Sequence, residues 1–155
     1  MTGTDKSAII FSHVRKVVLD VEKTGRFYCE AFGFTLMGKM ESGTSPGALP
    51  LSELRPPVRN IVHMYARPEL KLELCQYFEP APVGAQERMP MNTLTMTHMS
   101  FQVEDFEGTM AAVRRCGGEV LEQTRVRDAA GQSYIMCLDP DGFRVQVIPM
   151  KLMMP

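Results

Sequence analysis

The feature that most constrains the fold of this chain is a pattern written twice, 85 positions apart. The repeated pairs are His13/His98, Val18/Val103, Asp20/Asp105 and Gly33/Gly118. A chain that repeats one supersecondary unit usually builds a pseudo-twofold structure with a site where the copies meet. We therefore expect one imidazole from each copy to face a shared site.

The first half of the chain is predicted to form a strand, a helix and three further strands. The strand at 9–19 ends at Asp20, which is suited to cap a helix that stops at Gly33. The next strands are predicted at 34–40, 60–65 and 70–77. Prolines and glycines between 41 and 57 predict a long loop, which in a compact domain often acts as a lid or a binding segment.

The second half repeats this order after a proline-containing linker at 79–93. Its predicted elements are a strand at 95–103, a helix at 106–116 and strands at 119–127, 133–138 and 143–149. The Asp-Pro-Asp-Gly sequence at 139–142 is a strong turn signal between the last two strands. We thus predict one α+β domain over 1–155, with module one at 9–78 and module two at 94–149.

Composition narrows the class of protein. A chain of 155 residues holds one domain with a sizeable core. A net charge of -1 without a basic stripe argues against nucleic acid or an anionic membrane as the main partner. The polar N-terminus and the lack of a long apolar run predict a cytoplasmic protein. The four cysteines show no C-x-x-C spacing, which favours free buried thiols.

Four polar side chains fall on the face of the predicted strands that is opposite the apolar one. His13 and Glu73 lie on the first and last strands of module one, and His98 and Gln146 lie at the matching places of module two. Such ligands suit a single divalent Zn, Ni, Co, Mn or Fe ion, with positions left open for water or substrate. An isolated histidine on a strand is usually a structural residue, but two at equivalent repeat positions favour metal binding. Gln146 is the weakest member, because a neutral amide is a poor ligand.

Longer segments around these residues are similar to a known family. In module one they are 17–20 and 27–34, and in module two they are 98–105, 117–118 and 139–146. Together they resemble the vicinal oxygen chelate superfamily, which includes glyoxalase I, methylmalonyl-CoA epimerase, extradiol dioxygenases, and fosfomycin and bleomycin resistance proteins. The resemblance implies two βαβββ modules that form a cupped mixed sheet around a central cavity with a metal ion. It also implies the ligand set His13, Glu73, His98 and Gln146, and a homodimer.

Gln146 departs from the pattern of two branches of this superfamily. Glyoxalase I and the extradiol enzymes usually have Glu there, and an amide cannot accept the proton that a carboxylate would take. The epimerase has two His, one Gln and one Glu, which is the inventory found here with Gln and Glu exchanged between modules. The resemblance therefore implies an isomerase or lyase that abstracts a proton next to a metal-polarised carbonyl or thioester, with Glu73 as the candidate base.

Three further residues are candidates for substrate binding. Arg15 shares the face of His13 and could bind a carboxylate or phosphate, although a solvated arginine at the rim is an equal reading. His63 is placed on a strand beside that of Glu73, and Tyr77 could line an apolar pocket; structural roles are the plainer reading for both. Lys16 is an anomaly, because its parity points to the helix-covered face, where an apolar side chain is expected.

Three functions remain open at this point. The first is the metal-dependent isomerase or lyase acting on a small molecule. The second is a metal-free protein that binds an antibiotic or another apolar small molecule, against which the retained ligand residues argue. The third is an Fe(II)-dependent ring-cleaving dioxygenase, against which Gln146 argues. The sequence also leaves open whether the cavity forms within one chain or across a dimer.

Overall fold

The computed structural model describes residues 9–42, 49–84, 88–131 and 133–150. Module one contains β1 (Val14–Val17), α1 (Val21–Phe32), β2 (Thr35–Ser42), the one-turn helix α2 (Leu49–Ser52), β3 (Arg59–Ala66) and β4 (Lys71–Glu79). Module two contains β5 (His98–Val103), α3 (Phe106–Arg115), β6 (Glu119–Val120), β7 (Val126–Arg127), β8 (Ser133–Leu138) and β9 (Arg144–Pro149). The predicted α+β fold with two βαβββ modules is confirmed. None of the helices in these ranges is long and apolar enough to cross a lipid bilayer.

Each module builds its own mixed sheet. The strand orders are β1-β4-β3-β2 and β5-β9-β8-β6, with β7 paired to β8. The first and last strands of each module pair in parallel, and the registers place Arg15 opposite Glu73 and Ser100 opposite Gln146. The two copies therefore match, because Arg15 and Ser100 each come two positions after their module's histidine.

Both main helices begin as the sequence predicts. The carboxylate of Asp20 accepts hydrogen bonds from the backbone N–H groups of Glu22 and Lys23, and that of Asp105 accepts one from Gly108. Each such cap stabilises its helix by about 1 kcal/mol. At the C-terminus of α1, Gly33 takes the left-handed conformation with φ 68°.

Several predicted element boundaries differ from the structure. The strand predicted at 9–19 covers only Val14–Val17, so His13 precedes it, and the strand predicted at 95–103 begins at His98. The strand predicted at 119–127 is interrupted by a 3-10 turn at Glu122–Thr124. The reason is Thr124, whose hydroxyl donates to the carbonyl of Leu121 and accepts from the N–H of Met136. At this position a side-chain hydrogen bond replaces a backbone hydrogen bond to β8. In the predicted loop at 41–57, β2 continues to Ser42 and α2 forms a helical turn, while 43–48 lie outside the described residues.

One apolar core joins the two modules. It contains the helix-side residues of both sheets, with α1 and α3 among them. The ring of Phe101 on β5 lies 4.8 Å from that of Phe32 on α1 and 5.8 Å from that of Phe34. Because this core takes the helix-covered face of each sheet, the opposite faces are turned away from it. We call these opposite faces the open faces.

The anomaly at Lys16 is explained by a buried polar cluster between the modules. The Lys16 ammonium lies 3.1 Å from a carboxylate oxygen of Asp139 and 3.0 Å from one of Asp141, both on the turn between β8 and β9. The Tyr28 hydroxyl donates to Asp139, and the Thr24 hydroxyl donates to Asp141. Burial, together with the Asp139 charge, raises the pKa of Tyr28 well above its ordinary value. Lys16 therefore faces the helices because it holds the other module's turn.

The pseudo-symmetric counterpart of this contact uses different chemistry. Phe101 is the repeat equivalent of Lys16, and it meets the turn of module one through the Arg67 guanidinium, 5.8 Å from the ring centre. Arg67 also donates to the carbonyl oxygen of Phe32 at the end of α1. In both copies, a residue of the first strand thus holds the turn before the last strand of the other module.

Candidate functional site

The open face of module one brings His13 and Glu73 together. Nε2 of His13 lies 3.1 Å from Oε2 of Glu73, and a guanidinium nitrogen of Arg15 lies 3.1 Å from Oε1. The Glu73 residue is only 8% exposed. The two oxygens of a buried carboxylate therefore have separate partners, one an imidazole and the other a guanidinium.

This donor pair fits a divalent cation. Imidazole nitrogen and carboxylate oxygen bind such ions at about 2.1 Å, which puts neighbouring ligand atoms about 3 Å apart. The 3.1 Å between His13 and Glu73 matches that separation. Module one thus supplies two ligands of a suitable kind, which we call the first half-site.

The open face of module two carries the second half-site, His98 and Gln146. The Ser100 hydroxyl donates to the Gln146 amide oxygen at 3.0 Å, and Nδ1 of His98 lies 3.0 Å from the Thr97 hydroxyl. The amide oxygen keeps a second lone pair, since a carbonyl oxygen accepts two hydrogen bonds. His98 and Gln146 therefore lie at the register positions that correspond to His13 and Glu73, with a neutral oxygen donor in place of a charged one.

The two half-sites do not meet within one chain. Among the described residues, no group of three His, Cys, Asp or Glu side chains is placed to hold a metal ion. The physical reason is the shared core, which draws together the helix-covered faces of both sheets and leaves the open faces outward. Of the two arrangements that the sequence left open, the described residues of the single chain do not bring His98 to His13 and Glu73.

A family model for the glyoxalase/bleomycin resistance protein/dioxygenase superfamily matches residues 10–147. The chain belongs to this superfamily. The match spans both modules and both half-sites, and it confirms the resemblance expected from the repeated segments. No curated protein sequence matches the chain.

Solved structures with this fold include several members of the superfamily. A glyoxalase family protein from Bacillus cereus has a TM-score of 0.78 at 16% identity, over 95% of this chain and 98% of its own. The trypanothione-dependent glyoxalase I of Leishmania major has a TM-score of 0.62 at 19% identity, over 91% and 86%. A fosfomycin resistance protein from Mesorhizobium loti has a TM-score of 0.56 at 16% identity, over 92% of each chain. At these identities the likeness concerns the superfamily fold.

Arg15 and Tyr77, two of the predicted substrate-binding residues, lie beside the first half-site. Arg15 extends from β1 across the open face, with its guanidinium 3.0 Å from the Cys75 sulfur and 3.5 Å from the Tyr77 hydroxyl. Burial is the main cause that raises the pKa of Tyr77, which keeps its hydroxyl a hydrogen-bond donor at neutral pH. The arginine side chain is 45% exposed, so it presents a positive charge next to a buried carboxylate.

His63, the third predicted substrate-binding residue, lies on the other face of the same sheet. The antiparallel register of β3 and β4 places it opposite Leu74, a core residue, and not opposite Glu73. The residue is 3% exposed, with Nδ1 3.3 Å from the Tyr65 hydroxyl. We therefore leave His63 out of the site, because the sheet separates its ring from the open face.

The buried position of His63 predicts an acid-sensitive contribution to stability. Burial lowers its pKa below the ordinary value, with Glu22 opposing and Lys39 adding to the effect. The stability that depends on a neutral ring is present above the unfolded pKa of about 6.5 and is lost as pH falls below it. As pH falls from about 7 to about 5, we expect the free energy of unfolding to decrease less in a His63→Gln variant than in wild type. The difference between the two should be at most about 1.4 kcal/mol per pH unit. Urea denaturation at each pH measures this, and equal acid sensitivity would contradict it.

A separate cleft of about 550 Å³ lies between the linker, β1 and the turn before β9. Its lining includes Lys16, Val17, Met89, Met96, Asp141 and Arg144, and none of the four proposed ligands. Arg144 donates to the carbonyl oxygen of Met89, which ties the linker to the open face of module two. The cleft therefore follows from how the linker crosses the module boundary, and it reaches Thr97 beside His98 without including a proposed ligand.

Sequence reasoning overlooked the hydroxyl groups around the half-sites. Ser12 lies 2.9 Å from Nδ1 of His13, as Thr97 lies beside His98, and Ser100 contacts Gln146. Ser12 and Thr97 obey the same 85-residue offset as the histidines. The repeat itself was therefore the signal, since a hydroxyl residue precedes the histidine in both copies.

Proposed function

We propose that this protein is a metal-dependent isomerase or lyase that moves a proton next to a carbonyl or thioester of a small molecule. His13, Glu73, His98 and Gln146 would hold one divalent ion, of Zn, Ni, Co, Mn or Fe. The observation that carries the proposal is the buried carboxylate of Glu73 at 3.1 Å from His13 on an open face. The matching pair in module two and membership of the superfamily support it.

The complete site is proposed to form between two copies of the chain. Because the helix-covered faces share one core, the open face of module one can be covered only by a surface from outside the described part of the chain. Large apolar side chains lie exposed on the same face as the first half-site in the single chain: Val17 is 47% exposed and Met40, on the far edge strand, is 61% exposed. Just before His13, Ile10 is 84% exposed and Phe11 is 68% exposed. Apolar surface of this kind is typical of a protein interface, and module two of a second copy brings the missing imidazole and amide.

In the proposed site, the ion and the side chains have separate chemical roles. When bound, a divalent ion polarises a carbonyl and stabilises the negative charge that develops on its oxygen. Glu73 is the candidate that takes a proton from the neighbouring carbon and returns it, because Gln146 cannot accept one. Arg15 would bind an anionic group of the substrate, and Tyr77 would donate a hydrogen bond beside it.

Metal content and proton exchange test this function together. We expect purified protein, stripped with a chelator and reloaded, to retain about one divalent ion per chain. The loaded protein should then catalyse exchange of a carbon-bound hydrogen in D₂O for at least one 2-hydroxyketone or acyl thioester, followed by NMR. Protein that binds no divalent ion, or loaded protein that exchanges no such hydrogen, would contradict the proposal.

A Gln146→Glu substitution tests the weakest proposed ligand. A carboxylate binds a divalent cation more strongly than a neutral amide, so we expect affinity for Zn²⁺ to rise by about tenfold or more. Competition with a chelator measures the change. The matched control is Gln102→Glu, which adds the same charge to the open face of the same module but not at the ligand position. Unchanged affinity in Gln146→Glu would mean that residue 146 does not bind the ion.

A metal-free binding protein is the second candidate function. It is favoured by an apolar row on the open face of module one: Val17, Cys75, Val62 and Met40 lie on four adjacent strands. Val17 and Met40 are exposed, and Cys75 and Val62 lie buried between them. Such a row suits the apolar part of a small molecule. This function predicts ligand binding that does not change when metal is stripped from the protein, whereas the proposed enzyme requires the ion.

A further inference from the structure

We infer that each module carries two positioning residues that orient its proposed metal ligands: Ser12 and Arg15 in module one, and Thr97 and Ser100 in module two. The inference rests on the proposed function, since it assigns roles around the same metal site. Its basis is that four contacts occur as two matched pairs at repeat-equivalent positions.

The first matched pair fixes the histidine rings. The Ser12 hydroxyl lies 2.9 Å from Nδ1 of His13, and the Thr97 hydroxyl lies 3.0 Å from Nδ1 of His98. A hydroxyl that accepts a hydrogen bond from Nδ1–H selects the tautomer in which Nε2 carries the free lone pair. In module one, Nε2 is also the nitrogen that faces Glu73. With an ion bound, a hydroxyl that accepts from Nδ1–H in each copy would leave Nε2 to the ion. Without an ion, Nε2–H of His13 donates to Glu73 and the Ser12 hydroxyl donates to Nδ1.

The second matched pair holds the oxygen ligands. The register places Arg15 opposite Glu73 and Ser100 opposite Gln146. Arg15 engages Oε1 of Glu73 at 3.1 Å, which leaves Oε2 beside His13, and Ser100 donates to the Gln146 amide oxygen at 3.0 Å. Each donor matches the charge of the ligand that it contacts: the Arg15 guanidinium faces the Glu73 carboxylate, and the neutral Ser100 hydroxyl faces the Gln146 amide.

The change in metal affinity on removal of Arg15 tells whether it orients Glu73 or only adds a nearby positive charge. A positive charge next to a metal site repels the ion, so its removal alone would strengthen binding. Loss of a group that orients a ligand weakens binding, typically by 10- to 100-fold. The sign of the change in affinity therefore distinguishes the two roles.

Calorimetric titration with Zn²⁺ tests the inference on module one. We expect Arg15→Met to bind at least about tenfold more weakly than wild type, and Arg15→Lys, which keeps a charged donor, to recover part of the loss. The matched control is Lys71→Met, which removes an exposed positive charge at the start of β4; its affinity should stay equal or rise. Arg15→Met that binds as tightly as wild type, or more tightly, overturns the inference. Thermal unfolding of each variant shows that it is folded.

Module two is tested by Ser100→Ala and Thr97→Val. We expect each to weaken Zn²⁺ binding by about tenfold, and we expect Thr97→Val to remove the Nδ1–H preference of His98 in ¹⁵N NMR of the metal-free protein. Unchanged affinity and an unchanged tautomer overturn the inference for this module. If wild type binds no Zn²⁺, the proposed function fails and this inference fails with it. If wild type binds Zn²⁺ and all variants bind it equally, only this inference fails.

Discussion

An Asp139→Ala substitution is expected to remove about 3–5 kcal/mol of the free energy of unfolding, the cost typical of breaking a buried ion pair from one side. Asp139 is 3% exposed, and its carboxylate pairs with Lys16 and accepts from Tyr28. It also accepts from the N–H groups of Asp141 and Phe143. The substitution leaves a buried phenol unpaired and removes the two hydrogen bonds that the carboxylate accepts within the turn.

Chemical denaturation at fixed protein concentration measures this loss, because the stability of an oligomer depends on concentration. The control is Glu104→Ala, which removes an exposed carboxylate and should change stability by less than about 0.5 kcal/mol. A Lys16→Met/Asp139→Ala double variant should lose less than the sum of the single losses, since the two residues share one interaction. A loss of less than about 1 kcal/mol in Asp139→Ala would contradict the proposed role of this cluster in joining the modules.

This cluster matters for function because it determines which faces of the sheets are inside. Lys16 and Asp141 are 125 positions apart in sequence, yet their contact brings together the first strand of one module and the last turn of the other. With the helix-covered faces joined, the half-sites are turned outward. The geometry that stabilises the single chain is therefore the reason that we propose a second copy to complete the site.

The sequence predicted what depends on local pattern. Alternation along the strands predicts Glu73, His98 and Gln146 on the faces away from the core, and the registers agree, because side-chain direction in a strand has a period of two. His13 reaches Glu73 from the residue before β1. The aspartates at 20 and 105 correctly predicted where the helices begin, because capping is a local interaction. The offset of 85 residues correctly predicted two equivalent modules.

Features that depend on contacts between distant segments were not predictable in this way. His63 does lie on a strand beside that of Glu73, as expected, but its face depends on the register of two antiparallel strands, and a shift of one residue exchanges the faces. The alternation pattern correctly places Lys16 on the helix-covered face, but its partners lie in the other module. The relation between the modules depends on a core and a buried ion pair that no single stretch of sequence contains.

Two variants that each bind no metal ion alone are expected to bind one when they form a mixed dimer. The first carries His13→Ala and Glu73→Gln, so its module one cannot bind an ion. The second carries His98→Ala and Gln146→Ala, so its module two cannot. If each site joins module one of one chain to module two of the other, a mixed dimer contains one site with all four ligands and one site with none.

The metal content of that mixed dimer, isolated with two different affinity tags, tests the central claim most directly. We expect about two Zn²⁺ per wild-type dimer, none in either variant alone and about one in the mixed dimer. A mixed dimer without bound Zn²⁺, alongside a wild-type dimer that binds it, would contradict the account, because it would mean that both half-sites must come from the same chain.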